Sequence, residues 1–289
     1  MRYVRIISAK LGILISVFLM VSACEESVNL DLPKGTPRVV IGGWISDEAV
    51  PYRITVSQTI GFNDQETDPA IQARNVYVTD NFSNRYDFEH TQEQGVYESD
   101  PLDFVGVVGR RYTLHVIFFD ETRFQSTTET LQKVSQLDTI FFEPSFDPEF
   151  VIDDPRASIF LIRGRIDDIP NVENYYQWKV YVNDTLRSRP EELIIFNDKF
   201  TDGNFFETRI TNLFLKQKDT VRIEHSSISE QAFDFYSLLI SQTQSNRVGP
   251  GSLPTPVVGN MGNVTNPQEM VLGYFGASQI QTRVAIVDQ

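Results

Sequence analysis

Tyr52-Arg53-Ile54-Thr55-Val56-Ser57 sets Tyr52, Ile54 and Val56 on one side of an extended chain and Arg53, Thr55 and Ser57 on the other. A period of two marks a half-buried β-strand. The pattern continues outward in both directions. Before it stands Arg38-Val39-Val40-Ile41-Gly42-Gly43-Trp44-Ile45, separated by a Ser46-Asp47-Glu48 turn. After it come Arg74–Thr79, Arg85–Phe88, Gly95–Glu98, Arg111–Phe119 and Arg123–Thr127, with turn residues such as Asp80-Asn81, Gly106 and Gly109 between them. Short strands at roughly 8–12-residue spacing predict an immunoglobulin-like antiparallel β-sandwich over residues 37–131.

Residues 132–289 read as a second β-rich domain. Its strand candidates are Leu137–Phe142, Ala157–Ile166, Asn174–Val182, Leu193–Phe196, Thr220–His225, Val271–Phe275 and Gln279–Val287. One segment changes period. Ile228, Ala232, Phe235, Tyr236 and Leu239 form the stripe of an amphipathic helix near 228–244, with Ser227 and Glu230 placed as a capping box. The fold class expected is therefore mainly β with one helix.

The N-terminus reads as an address. Arg2, Arg5 and Lys10 precede an apolar run, Leu11–Val21, that at ~1.5 Å per residue reaches about half of a ~30 Å hydrocarbon core. Residues 1–23 fit a signal peptide. Leu19-Met20-Val21-Ser22-Ala23-Cys24 resembles a bacterial lipobox, which makes Cys24, the one cysteine of the chain, the expected lipid-attachment site. Residues 24–36 are polar and read as a tether. Glu25-Glu26 resembles a surface-export signal, so the expected location is the outer membrane, on the cell-surface face rather than the periplasmic one.

Charge and cysteine count narrow the function. Residues 1–23 hold three of the 25 basic residues and none of the 39 acidic ones, so the mature chain carries a formal charge of −17. Such a chain repels nucleic acid and anionic membrane surfaces. With one cysteine no disulfide forms within the chain, and its 21 Phe and 11 Tyr must supply stability by packing.

Val39–Ile45 just after a lipobox, Gly109-Arg110-Arg111-Tyr112-Thr113-Leu114, Ile228-Ser229 before a helix carrying Tyr236, and Val271-Leu272-Gly273-Tyr274-Phe275-Gly276-Ala277-Ser278 occur in this order. Together they resemble a domain-of-unknown-function family of Bacteroidota lipoproteins, whose genes commonly lie beside those of TonB-dependent receptors. The resemblance implies a membrane-anchored accessory of a TonB-dependent transporter. It carries no catalytic residues over.

The residues themselves add little chemistry. There is no Gly-x-Ser-x-Gly, no His-Glu-x-x-His and no phosphate-cradling loop, so no cofactor is expected. His90, His115 and His225 are scattered, and His115 alternates into a strand as a packed or edge residue. Asp198 with Thr201-Asp202-Gly203-Asn204 clusters oxygens as a calcium loop would, but lacks the closing Glu, and a plain turn is the reading; no metal site is expected. Asp153-Asp154, Asp167-Asp168 and Glu191-Glu192 read as solvated loop acids, because adjacent strand residues point apart while a glycosidase needs carboxyls opposed at ~5–9 Å. Tyr175, Tyr176, Trp178 and Tyr181 divide between two strand faces, one filling a core. Thr139, Thr185 and Thr220 each sit in an Asp-Thr-aliphatic sequence that resembles Bacteroidota O-glycosylation sites. The expected protein is a non-enzymatic docking partner, with a surface adhesin and a lipid-anchored hydrolase as alternatives.

Overall fold

A computed structural model describes residues 36–60, 69–145, 157–189, 192–210, 214–243 and 256–288. The first seven strands fall where the alternation puts them: β1 (Val39–Ser46), β2 (Arg53–Gln58), β3 (Asn75–Asp80), β4 (Arg85–His90), β5 (Val96–Ser99), β6 (Arg111–Ile117) and β7 (Arg123–Ser126). In β2, Ile54 and Val56 are buried while Arg53 and Thr55 face solvent; in β6, Tyr112, Leu114 and Val116 are buried. A short β8 (Glu129–Thr130) pairs with the start of β6.

The next group comprises β9 (Gln136–Ser145), β10 (Ala157–Asp167), β11 (Tyr175–Val182), β12 (Thr185–Arg187), β13 (Ile194–Asn197), β14 (Phe205–Ile210), β15 (Phe214–Lys216) and β16 (Thr220–Ile228). Helix α1 (Glu230–Thr243) follows, then β17 (Met261–Asn263), β18 (Phe275–Ser278) and β19 (Ile280–Ile286).

Hydrogen bonding of the first group departs from a sandwich of two sheets. The strands make one ten-stranded sheet in the order β17-β7-β6-β3-β4-β5-β2-β1-β18, with β8 on β6, and it curls into a nearly closed barrel. Strand alternation is the same in a sandwich and a barrel, so the period alone does not separate them. Its inner face is one apolar cluster that includes Ile41, Ile45, Ile54, Val78, Phe104, Leu114 and Phe275. Residues 261–278 belong to this sheet: β17 extends β7, and β18 lies parallel on β1 with Gly43 opposite Phe275.

The second group makes two sheets, one of β9, β10, β14 and β15 and one of β12, β11, β16, β19 and β13. Leu137, Phe160, Ile162 and Ile166 from the first share one core with Trp178, Val180, Val182, Val221 and Ile223 from the second.

The helix begins later than its stripe suggests. Pairing of Tyr175 with Ile228 keeps β16 extended through Ile228. Ser227 is therefore a strand residue; its Oγ donates to the Gln132 carbonyl at 2.7 Å and accepts from the Gln279 amide at 3.1 Å. Ser229 caps the helix instead, its Oγ accepting from the Ala232 amide at 3.1 Å.

Candidate functional site

The stretch Gly273-Tyr274-Phe275-Gly276-Ala277-Ser278 is where the barrel, the helix and the second pair of sheets meet. Gly273 holds φ +96°, and a Cβ there would lie 2.0 Å from the Ile41 carbonyl oxygen. A Cβ on Gly276 would lie 2.2 Å from the Trp44 ring, which occupies that space. Trp44 stacks on Tyr274 with centroids 6.0 Å apart, packs near Tyr236 at 6.1 Å, and donates Nε1–H to Ser278 Oγ at 2.8 Å. Ser278 Oγ in turn donates to the Ser227 carbonyl. Phe235 of the helix lies 5.0 Å from Tyr274.

Two polar side chains lock this junction. Asn260 donates Nδ2–H to the Phe275 carbonyl and accepts the Phe275 amide on Oδ1, both at 2.8 Å, as a neighbouring strand would. Glu129 is buried; its Oε1 accepts from the Tyr274 hydroxyl at 2.6 Å and from Asn260 Nδ2 at 3.3 Å, while Oε2 has no partner. Burial pushes the Glu129 carboxyl above the usual carboxylate range, against the pull of Tyr274, Ser229 and Asn260. A cavity of about 410 Å³ beside it is lined by Thr127, Gln231, Gly259 and Asn260 among others. Neither Glu129 nor Asn260 carries a local signal; each matters because of partners that lie far away in the chain.

The residues singled out by sequence are distributed elsewhere. Cys24 lies outside the described residues, as do Asp153-Asp154 and Glu191. Thr139, Thr185 and Thr220 are all exposed. Thr185 and Thr220 share one end of the β11–β16 sheet, bracketing Asn183, whose amide donates to the Thr220 carbonyl at 2.9 Å; Thr139 is on β9 in the other sheet.

Two acids expected in solvent, Glu192 and Asp168, are buried, and so is Asp198 of the turn. Glu192 pairs with Arg189 at 3.3 Å. Asp168 is 7% exposed and Asp198 is 1% exposed, and they converge from two different loops. Asp168 Oδ1 accepts from the Ser135 hydroxyl at 3.0 Å and the Tyr176 hydroxyl at 2.8 Å, and Oδ2 from the Gly203 amide at 2.9 Å. Asp198 accepts the Asn174 amide at 2.9 Å. Burial, with Asp168 alongside and against the Asn174 bond, pushes Asp198 up to about 6. The pair staples loops 168–174 and 198–204 together, and its oxygens are engaged by the protein. In the same turn Asp202 Oδ1 accepts the Asn171 amide at 2.7 Å, so this loop's carboxylates cap backbone donors.

Of the three strand histidines, His90 ends β4 exposed and the other two are packed. His115 stacks on Tyr77 at 4.7 Å, contacts Thr79 Oγ1 at 2.9 Å, and is pulled down by burial. His225 is fully buried, accepts Trp178 Nε1–H on Nδ1 at 2.8 Å, and is pushed down by burial to about 3, so it is neutral. Tyr176 and Trp178 are buried, as the alternation requires. On the other face Tyr175 packs on Phe233 of the helix at 5.2 Å, and Arg222 lies 3.5 Å over Tyr181.

Both ends of the barrel expose apolar side chains, and the end beyond Ser46 joins them to an acidic groove. The loop between β5 and β6 exposes Leu102 (91%), Val105, Val107 and Val108, and the β3–β4 turn at the same end exposes Phe82 (66%). The loop is held by a Gly106 amide bond to the Ser46 carbonyl at 2.9 Å, so it sits where β1 finishes. Beside it a cavity of about 760 Å³ is lined by Asp87, Glu89, Asp100, Asp103, Arg85 and the buried Phe104. The run Val105-Gly106-Val107-Val108 between Asp103 and Gly109 is the sequence signal that could have found it.

A curled sheet, a paired-sheet body and one helix, knotted at a C-terminal aromatic and glycine stretch, define a predominantly β protein built by long-range strand pairing. The chain belongs to the family of the domain of unknown function DUF4249, whose model matches residues 25–283. No curated protein matches it. A solved structure from work on host cell surface retention of a 1.5-MDa bacterial ice-binding adhesin aligns over 88% of this chain and 65% of that one, at 10% identity and TM-score 0.20. That score is too low for a shared fold to follow, and the alignment leaves about a third of the adhesin chain unmatched.

Proposed function

We propose that this chain is a lipid-anchored binding protein of the outer membrane, held at Cys24 and working by contact rather than catalysis. The observation that carries this reading is polarity along β1. The chain enters the barrel at Arg38, whose carbonyl accepts the Thr59 amide, at an end that exposes Ile60 and Phe119, and the Leu102 loop with its acidic groove lies beyond Ser46 at the opposite end. At ~3.3 Å per residue, β1 spans roughly 25 Å. An anchor ahead of Thr36 would leave the acidic-groove end of β1 farther from the point where the chain enters. Docking on a TonB-dependent receptor suits such a display, and so does adhesion to another surface, the alternative reading. Thr139, Thr185 and Thr220 stand exposed, as glycan acceptors must, and we count them as modification sites within the same proposal.

Intact-mass measurement of the protein extracted from membranes tests both parts. A lipid-modified chain starting at Cys24, with added hexose mass that falls in the Thr→Ala variants, is the expected result. A free Cys24 thiol rejects the anchor, and lipid without sugar rejects the glycan sites. Recovery of a β-barrel receptor with the extracted protein separates docking accessory from adhesin.

A further inference from the structure

The far end of the barrel joins two surface properties that soluble proteins usually keep apart. Leu102 stands almost free of the fold and Phe82 is largely exposed, with Val105, Val107 and Val108 partly exposed in the same loop as Leu102. Contiguous exposed apolar residues of this kind mark contact sites. They border an acidic groove in which Asp87, Glu89, Asp100 and Asp103 are opposed by Arg85 alone, and Arg85 is paired with Asp87 at 2.5 Å. Two more cations stand at this end outside the groove: Arg110, paired with Asp80 at 2.9 Å and lying over the Phe82 ring at 5.2 Å, and the exposed Arg111 at the start of β6, beside Asn81. The groove therefore keeps a net negative charge beside an apolar rim.

We infer that this end is a docking surface for a basic, amphipathic segment of a partner protein, with apolar side chains seated on Leu102 and the valines and Lys or Arg side chains entering the groove. Charge complementarity selects the partner. Acidic walls repel anionic lipid and nucleic acid, and match a cationic segment. The inference rests on the binding reading above only for the direction in which this end faces; binding itself needs no anchor.

The test uses the full mature chain with Cys24→Ser in solution, so that failure of the anchor does not affect it. The probe is a fluorescent amphipathic Leu/Lys peptide, compared with the same peptide carrying Glu for Lys, by anisotropy at low and physiological salt. Binding of the Lys peptide is expected, weakening with salt, and absent for the Glu peptide. Leu102→Ser and the double variant Asp100→Asn/Asp103→Asn should each weaken it by at least about tenfold, the scale of losing an anchoring contact. Leu102 is fully outside the core and Asn keeps the Asp100 bond to the Leu102 amide, so these variants should unfold at the wild-type temperature. Equal losses in Phe200→Ser and in Asp184→Asn/Asp234→Asn, which change exposed residues elsewhere, would overturn the inference by reducing it to bulk stickiness and charge. It would also be overturned by equal binding of the Glu peptide, or by Leu102-dependent retention on phosphatidylcholine vesicles without peptide binding.

Discussion

Asp198 shows how one side chain connects solvent conditions to this fold. Its carboxyl is nearly inaccessible, faces Asp168, and holds its proton up to about 6. A carboxyl whose folded pKa is raised contributes stability that is complete below its unfolded value of about 3.9 and is lost as pH rises through the folded value. Asp198→Asn keeps the acceptor for the Asn174 amide and removes the charge. The advantage of Asp198→Asn over wild type should therefore grow between about pH 4 and 6, by about 1–3 kcal/mol, in urea unfolding. A difference that stays flat across that range would show that burial does not raise the Asp198 carboxyl. The same scale contains Gly276. Adding one methyl there collides with Trp44, so Gly276→Ala should cost about 2–3 kcal/mol, read as a lower thermal midpoint. No stretch of sequence announces either result. Asp167-Asp168 reads as two acids pointing apart, which is true of those neighbours, but the acid that meets Asp168 comes from 30 positions further on.

At the scale of elements, local pattern was legible and pairing was not. The alternation of Tyr52, Ile54 and Val56, or of Tyr112, Leu114 and Val116, depends only on the period of a strand, so both strands were expected where they occur. The helix stripe was equally readable, yet its start moved because β16 continues through Ile228, a tertiary pairing that overrides a capping motif. Ser229→Ala should therefore cost about 1 kcal/mol of stability through loss of the N-cap. Asn260 is the element-scale counterpart. Because its amide stands in for a strand against Phe275, Asn260→Ala leaves that backbone pair without a partner and Glu129 with the Tyr274 hydroxyl alone. It should cost about 2–3 kcal/mol, and hydrogen exchange should quicken at Phe275 before it does at β2 or β6. Uniform exchange across the sheet would contradict this closure.

For the whole molecule, the decisive feature is the return of residues 261–278 to a sheet begun at Val39. Contacts more than 200 positions apart leave no periodic trace, which is why the expected sandwich is a nearly closed barrel and why the Gly273–Ser278 stretch reads in sequence only as a motif. In space it is the junction of every part. The two ends of the barrel then differ: the chain enters at Arg38 at one, and Leu102 stands exposed above acidic residues at the other. The most direct measurement of that division places a photo-crosslinking residue at position 102 of the full-length chain in living cells, with the same residue at position 284 as control. The account predicts a discrete protein adduct from position 102 that disappears when Asp100→Asn/Asp103→Asn is added. Adducts of equal yield from position 284, or an adduct from 102 indifferent to those two carboxylates, would contradict it.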